Sequence, residues 1–414
     1  MPKTFLTQAY KGTRDFYPDT NQFVNSQKDT NFLLYRQYIF DTWRKTLLNL
    51  GFVEYDCSVI EQAEIYLAKS GEELGGKQLY NFHDKSDRHI ALRPEMTPSL
   101  ARMVADKYSE LRFPLRWFSI PNCFRYEAPQ KGRLREFWQL NVDIIGAEAG
   151  ATDLEMMFVV SEVMKAFGAS QESFTIKFNH RQVLDEWLLD NIFYDTPISE
   201  IENLKKPVYN FLDNFHKMNQ TERFENIKIM AISIAIIFRD CAAILELTEK
   251  ESFAWNEYIN IALKKEEIEL IFKLNGGENY NYKDKLKFNN CNIDFDHTIV
   301  RGLAYYTGLV FECFDNHPSF NRALFGGGRY DNLLDLFDKP KTPAIGFGMG
   351  DVPIMEFLQN WNLLDGFENF EIWKKTNQRQ KVGIMPILNN KNKIEKKLSQ
   401  SETEQLEEIL KELD

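Results

Sequence analysis

The stretch from Pro121 to Gly146, PNCFRYEAPQKGRLREFWQLNVDIIG, limits what this chain can fold into more than any other. Read with a period of two, it predicts two antiparallel strands joined by a charged loop. On the second strand Trp138, Leu140, Val142 and Ile144 share a face that must be core, while Phe137, Gln139, Asn141 and Asp143 share the other. On the first strand Cys123, Arg125 and Glu127 fall together, opposite Phe124 and Tyr126. A sheet covered on both sides would have to satisfy those polar groups, so the polar face reads as the floor of a site. The loop from Ala128 to Glu136 carries Lys131, Arg133 and Arg135 beside Gly132. Arginine grips phosphate oxygens bidentately and stays charged. The hairpin therefore suits a small polar ligand joined to a polyphosphate, although taken alone it also fits one wet face and a solvated loop.

At 414 residues the chain has material for two or three domains,. Its formal net charge of −11 argues against a general polyanion binder,. Nucleic acid held at one basic patch stays open, and Arg112, Arg116, Arg125, Lys131, Arg133 and Arg135 make such a patch. No window is long and apolar enough to span a bilayer, and the N-terminus lacks a signal-peptide core, so a cytoplasmic protein with no membrane partner is expected,. The cysteines at 57, 123, 241, 291 and 313 form no CxxC pair, so neither a disulfide framework nor a zinc site is expected,.

Along the chain, KGTRDFYP at Lys11 to Pro18 reads as a turn-like basic arm. Asn31 to Leu50 predicts a helix with Leu33, Phe40, Trp43, Leu47 and Leu50 on one stripe and Gly51 as its cap,. Phe52 to Glu61 predicts a strand, and Leu79 to Phe82 another. In ALRPEMTPSLARMVADK the residues Arg93, Glu95 and Thr97 alternate in an extended segment, with Thr97 as N-cap of a helix starting near Pro98,. A carboxylate there could hold an ammonium group. Helix follows from Thr152 to Phe167 and strand from Ser173 to His180. Arg181 to about Leu274 reads as a helical insertion, Gly276 to Asn290 as a polar return, and Cys291 to Asp315 as renewed strand. The triple glycine Gly326 to Gly328, ahead of a predicted helix, implies close approach of backbone to a ligand or a neighbouring strand,. Thr342 to Leu358 is a small-residue strand entering a helix, Lys375 to Asn390 a linker and strand, and Ser401 to Asp414 a closing helix.

With these residues in view, the chain resembles the histidyl-tRNA synthetases, a class II aminoacyl-tRNA synthetase family, from Lys11 to about Leu358. KGTRDFYP is similar to the family's N-terminal motif, FRYEAPQKGRLREFWQL to its motif 2 hairpin, and LRPEMTPSLAR to its amino-acid-binding segment. VRGLAYYTGLVFE and GGGRYDNLL resemble its histidine-specific stretches, and AIGFGMGD resembles motif 3.

The resemblance implies an α+β fold, an antiparallel sheet flanked by helices, with a helical insertion and a shortened α/β C-terminal segment. Expected bounds are residues 1–180 and 291–365 for the catalytic domain, 181–290 for the insertion, and 375–414 for a remnant of the anticodon-binding domain. It implies a homodimer that activates L-histidine with ATP and Mg²⁺ and passes the histidyl group to tRNA(His). Arg125 would bind the α-phosphate, Glu127 and Arg133 would complete the ATP contacts, and Phe137 would stack on adenine. Glu95, Thr97 and Gln139 would hold the ammonium group and its neighbours, and Asp143, Tyr305 and Tyr306 would line the imidazole pocket. Arg301 would be the catalytic arginine that neutralises charge on the α-phosphoryl group; no metal ligand is assigned.

Three features depart from the family pattern. Pro353 stands where motif 3 usually ends in arginine, Ser58 stands where motif 1 has proline, and the region after Lys381 is short for an anticodon domain. The alternative is a non-catalytic relative, the regulatory subunit of ATP phosphoribosyltransferase; a third is an amino-acid adenylator that uses no tRNA. A chain with no adenylate to make needs none of Arg301, Gln139, Arg125 or the basic loop, and this one has all of them.

Overall fold

The computed structural model describes residues 7–17, 33–68, 77–130, 132–180, 286–288, 291–296, 299, 306–319, 323–364 and 367–377. The chain divides into two compact units, Met1–Lys374 and Lys375–Asp414. In chain order the described elements begin with α1 (Leu33–Asn49), β1 (Val53–Glu54), β2 (Ile60–Gln62), α2 (Ala63–Leu67), β3 (Asn81–His83), β4 (His89–Leu92) and α3 (Thr97–Asp106). Next come β5 (Leu115–Ser119), β6 (Asn122–Phe124), β7 (Glu136–Ile145), α4 (Ala151–Ala166) and β8 (Phe174–His180). The described elements resume with β9 (Leu286–Phe288), β10 (Cys291–Phe295), β11 (Leu309–Asp315), β12 (Ala323–Arg329), a 3-10 helix (Leu333–Phe337), β13 (Ala344–Gly350), α5 (Asp351–Asn360) and α6 (Glu368–Asn377).

Among the described residues one large sheet runs β1-β5-β7-β13-β12-β11-β8-β10-β9, with β6 added to β7, and β2-β4-β3 form a small second sheet. The large sheet is antiparallel through its centre, as expected, and parallel only where β1 meets β5 and β10 meets β8. The alternation of β7 decides which face is core. Leu140, Val142 and Ile144 are buried and pack with Ile345, Phe347 and Met349 of β13 under α1, α4 and α5. Trp43 and Leu47 of α1 and Ile354 and Phe357 of α5 supply the covering side. The α1 stripe is broader than expected, since Tyr35, Tyr38 and Ile39 are buried as well. Gly51, at φ 82°, ends that helix in the left-handed conformation a glycine cap favours,.

Among the described residues the opposite face is covered by apolar side chains at one end. There Leu100 and Val104 of α3, with Leu333 and Leu334 of the 3-10 helix, close over Ile145, Val310 and Ala344. The rest of that face carries Ser119, Gln139, Asn141 and Asp143 beside the glycines of β13 and β12, because residues paired across a ladder point the same way,.

Several expectations are corrected. Phe52 to Glu61 is two short strands in two sheets, because the chain leaves the first ladder after Tyr55 and bends at Val59, and between them the Arg93 guanidinium binds Asp56 Oδ1 (2.8 Å) and Cys57 O (2.7 Å). Met96, not Thr97, is the N-cap of α3; Thr97 is already helical, and Pro98 sits in the first turn, where its missing N–H costs nothing,. The triple glycine lies inside β12, and the next element is a 3-10 helix. The polar return contains β9, and α6 continues to Asn377, into the expected linker. The helical insertion at 181–274 and the strand and helix expected beyond 380 lie outside the described residues.

Candidate active site

The predicted hairpin is present: Cys123 faces Phe137 across the β6–β7 pair, and the ladder continues through Arg125 N to Arg135 O at 2.9 Å. Cys123 and Phe137 therefore share the polar face of β7. Burial pushes the Cys123 thiol up to about 12, so it is inert packing beneath the site,. Arg125 lies with its guanidinium carbon 5.1 Å from the Phe137 ring centre and its Nε donating to Pro94 O at 2.9 Å. That bond brings the segment carrying Glu95 alongside the hairpin, and Phe124 N donating to Arg93 O at 3.0 Å ties it there again. Glu95 is buried, and Arg93 is buried too, spanning Asp56, Cys57 O and Asn122 O. Arg93 is thus a structural clamp under the row, not a ligand contact.

At the loop end Glu127, mostly covered, pairs with the exposed Arg133 at 3.4 Å, and Arg135 Nε donates to Glu127 O at 3.1 Å. The planar Arg135 head also lies 4.2 Å from the Tyr126 ring centre. Arg133 is the more accessible cation of the two and is held by a long, exposed ion pair, which a phosphate could displace at little cost.

Further along β7 the floor narrows to glycine. Gly346 and Gly348 of β13 pair with Asp143 and Asn141, and with Gly328 and Gly326 of β12. A methyl group on Gly348 would collide with the Gln139 amide, and one on Gly346 would collide with Asp143 Oδ1. These glycines are therefore the space in which two polar side chains lie against the sheet. Gln139 Oε1 and Asp143 Oδ2 are buried and have no hydrogen-bond partner among the described residues.

Asp143 is the most perturbed of these groups. It is 3% exposed, and the Tyr330 hydroxyl donates to its Oδ1. Burial pushes its carboxyl up to about 7, against the opposing pull of that hydrogen bond,. Tyr55 stands near it, and burial together with the Asp143 charge pushes that phenol well above its usual range. Tyr306 is buried with Tyr330 and Val310, and its ring lies over Gly328. Thr97 lines a hollow with Leu100, Ile145, Tyr330 and Ala344, which places it at the same end. A buried carboxylate with one oxygen unpaired among the described residues, beside Tyr330 and Tyr55, can accept a hydrogen bond from a polar ligand,.

The structure thus brings Arg125, Phe137, Glu127 and Arg133 together at the loop end of one floor, and Thr97, Asp143 and Tyr306 at the other, with Glu95 and Gln139 between. Arg301 and Tyr305 lie outside the described residues. The sequence reading missed Tyr330 and Tyr55. It also has Asp351 merely as the last residue of AIGFGMGD, the stretch that resembles motif 3. In the fold Asp351 is buried on the helix-covered side, receiving Arg14 Nη2 at 2.5 Å and Trp138 N at 3.0 Å.

Comparison with known proteins adds independent findings. The family model described as histidyl-tRNA synthetase matches residues 36–214 and 239–351, well over half the chain. A histidine–tRNA ligase of Leptospira biflexa is 40% identical over 363 residues, covering 87% of this chain and 76% of that protein. One from Opitutus terrae is 35% identical over 368 residues, covering 87% and 76%. Among solved structures, an ATP phosphoribosyltransferase regulatory subunit/histidyl-tRNA synthetase from Bacillus halodurans superposes with a TM-score of 0.59 at 21% identity, covering 86% of this chain and 84% of that one. That last likeness bears on the fold alone.

Proposed function

This chain belongs to the histidyl-tRNA synthetase family, and we propose that it works as a histidine–tRNA ligase through this two-ended floor. In the first step a carboxylate oxygen of L-histidine attacks the α-phosphorus of ATP. The bond from that phosphorus to the bridging oxygen breaks, giving histidyl-adenylate and pyrophosphate. In the second, a ribose hydroxyl of the terminal adenosine of tRNA(His) attacks the acyl carbon and AMP leaves.

The observation that carries this reading is Asp143: a buried carboxylate with a free lone-pair edge, set among tyrosines and unlined glycines. It offers an acceptor to an imidazole N–H, while Tyr330 and Tyr306 shape the walls. A pocket whose polar groups need polar partners rejects side chains that lack them. Glu95, Thr97 and Gln139 hold the ammonium group, and Tyr305 completes the imidazole wall. At the other end Arg125 takes the α-phosphate, Arg133 and Glu127 the remaining ATP contacts, and Phe137 the adenine. Arg301 neutralises the charge that builds on the α-phosphoryl oxygens, the role preplaced cations serve in phosphoryl transfer. Mg²⁺ would accompany the nucleotide, held mainly by its phosphates with Glu127 nearby, and would offset phosphate charge.

The chain acts as a homodimer in the cytoplasm on this reading. Val59, Ile60, Leu67 and Phe82, on or beside the small sheet, are exposed apolar side chains that a second copy would cover,. Among the described residues no helix is long and apolar enough to cross a membrane. Charging of tRNA(His) with radiolabelled histidine by the purified chain tests the proposal; labelled adenylate that never reaches tRNA would contradict it.

A further inference from the structure

The loop between β6 and β7 is tethered at its base and at its tip. At the base, Gly12 O accepts from Arg135 N (2.7 Å) and Glu136 N (3.2 Å), and Asp351 accepts from Trp138 N (3.0 Å). At the tip, Gly132 N donates to Glu356 Oε1 at 3.0 Å. Glu356 lies on the second turn of α5, the helix that Asp351 begins, so one helix grips the loop at both places. Gly132 has φ 76°, a turn conformation that side chains disfavour,. With the base alone fixed, Gly132 and Arg133 could swing about it; the Glu356 bond removes that freedom. Arg133 is the next residue after the tethered amide.

We propose that Glu356 is a positioning residue for ATP: by holding the Gly132 amide it sets where Arg133 meets the nucleotide. This rests on the reading of Arg133 as an ATP contact. It separates the two substrates, because Asp143 lies five residues up β7 from Trp138, about 17 Å from the loop base,. A tether at the loop tip therefore acts on ATP and not on histidine.

The test is histidine-dependent pyrophosphate–ATP exchange in the full chain, with KM for each substrate and thermal unfolding as a folding control. Glu356→Ala should raise KM for ATP on the order of tenfold, as expected for loss of one hydrogen bond to a charged group, and leave KM for histidine within about twofold. Glu356→Gln keeps an acceptor and should stay near the parent. Glu356→Asp keeps the charge but is a methylene too short, and should behave like the alanine variant even if that variant folds poorly. Unchanged KM for ATP in the alanine and aspartate variants, or a parallel rise in both KM values, would overturn the proposal. Absence of exchange in the parent chain would instead sink the ligase reading itself.

Discussion

Replacing Asp143 by asparagine gives a sharp test of the imidazole end of the site. Asp143 is buried, and its carboxyl sits at about 7 where an ordinary aspartate has 3.8. Between those values the unfolded chain has released a proton that the folded chain still holds. The stability this group contributes is therefore complete below about pH 4, is lost as pH rises through about 7, and is level beyond. At about 1.4 kcal/mol per pH unit, keeping Asp143 ionised costs the fold about 4 kcal/mol at pH 8. Asparagine keeps the oxygen that accepts from Tyr330 and cannot ionise. Urea unfolding of both proteins at pH 4, 6 and 8 should show the variant gaining on the parent by about 4 kcal/mol across that range. Adding L-histidine at pH 8 should narrow the gap, because its imidazole N–H pairs with the ionised carboxylate of the parent. Parallel stability curves would rule this out, since they would mean Asp143 is not held against its charge.

Three further outcomes can be checked, the first on the proposed role of Arg301 and the other two on the geometry of the floor and its supports. Arg301→Ala should lower pyrophosphate exchange by roughly 100-fold or more, the scale of losing a preplaced transition-state cation, while isothermal titration still shows histidine binding. Gly348→Ala should raise KM for histidine on the order of tenfold or more, because the added methyl occupies the space of the Gln139 amide; steady-state kinetics read this directly. Arg93→Met should destabilise the fold by about 2 kcal/mol in urea titration; Asp56 is largely exposed and not stranded, so the cost comes from the carbonyls of Cys57 and Asn122.

How much of this is legible in the sequence depends on the range of the interactions. β7 can be read from its own alternation, because one face is core and the other polar along its length, and Gln139, Asn141 and Asp143 are found where that period puts them. The hairpin comes from the same run. Tyr330 is hidden by the triple glycine: read as a break before a helix, the glycines conceal that Gly326, Gly328 and Tyr330 alternate along one extended line. Read through as strand, they place Tyr330 on the Asp143 side. Tyr55 is hidden because Phe52 to Glu61 reads as one strand, whereas the chain leaves the first ladder after Tyr55 and bends at Val59. The pairing of Arg14 with Asp351, 337 residues apart, has no local signal at all. Pro353, in the first turn of α5, is placed where proline is tolerated,, and Asp351 beside it supplies the anchor for β7.

If one polar floor joins a histidine pocket to a nucleotide clamp, exchange of labelled pyrophosphate into ATP, run with each amino acid in turn, reads that junction. Exchange should appear with L-histidine and vanish when it is omitted or replaced by another amino acid. Exchange that is absent, or indifferent to which amino acid is supplied, would show that the two ends do not work as one site.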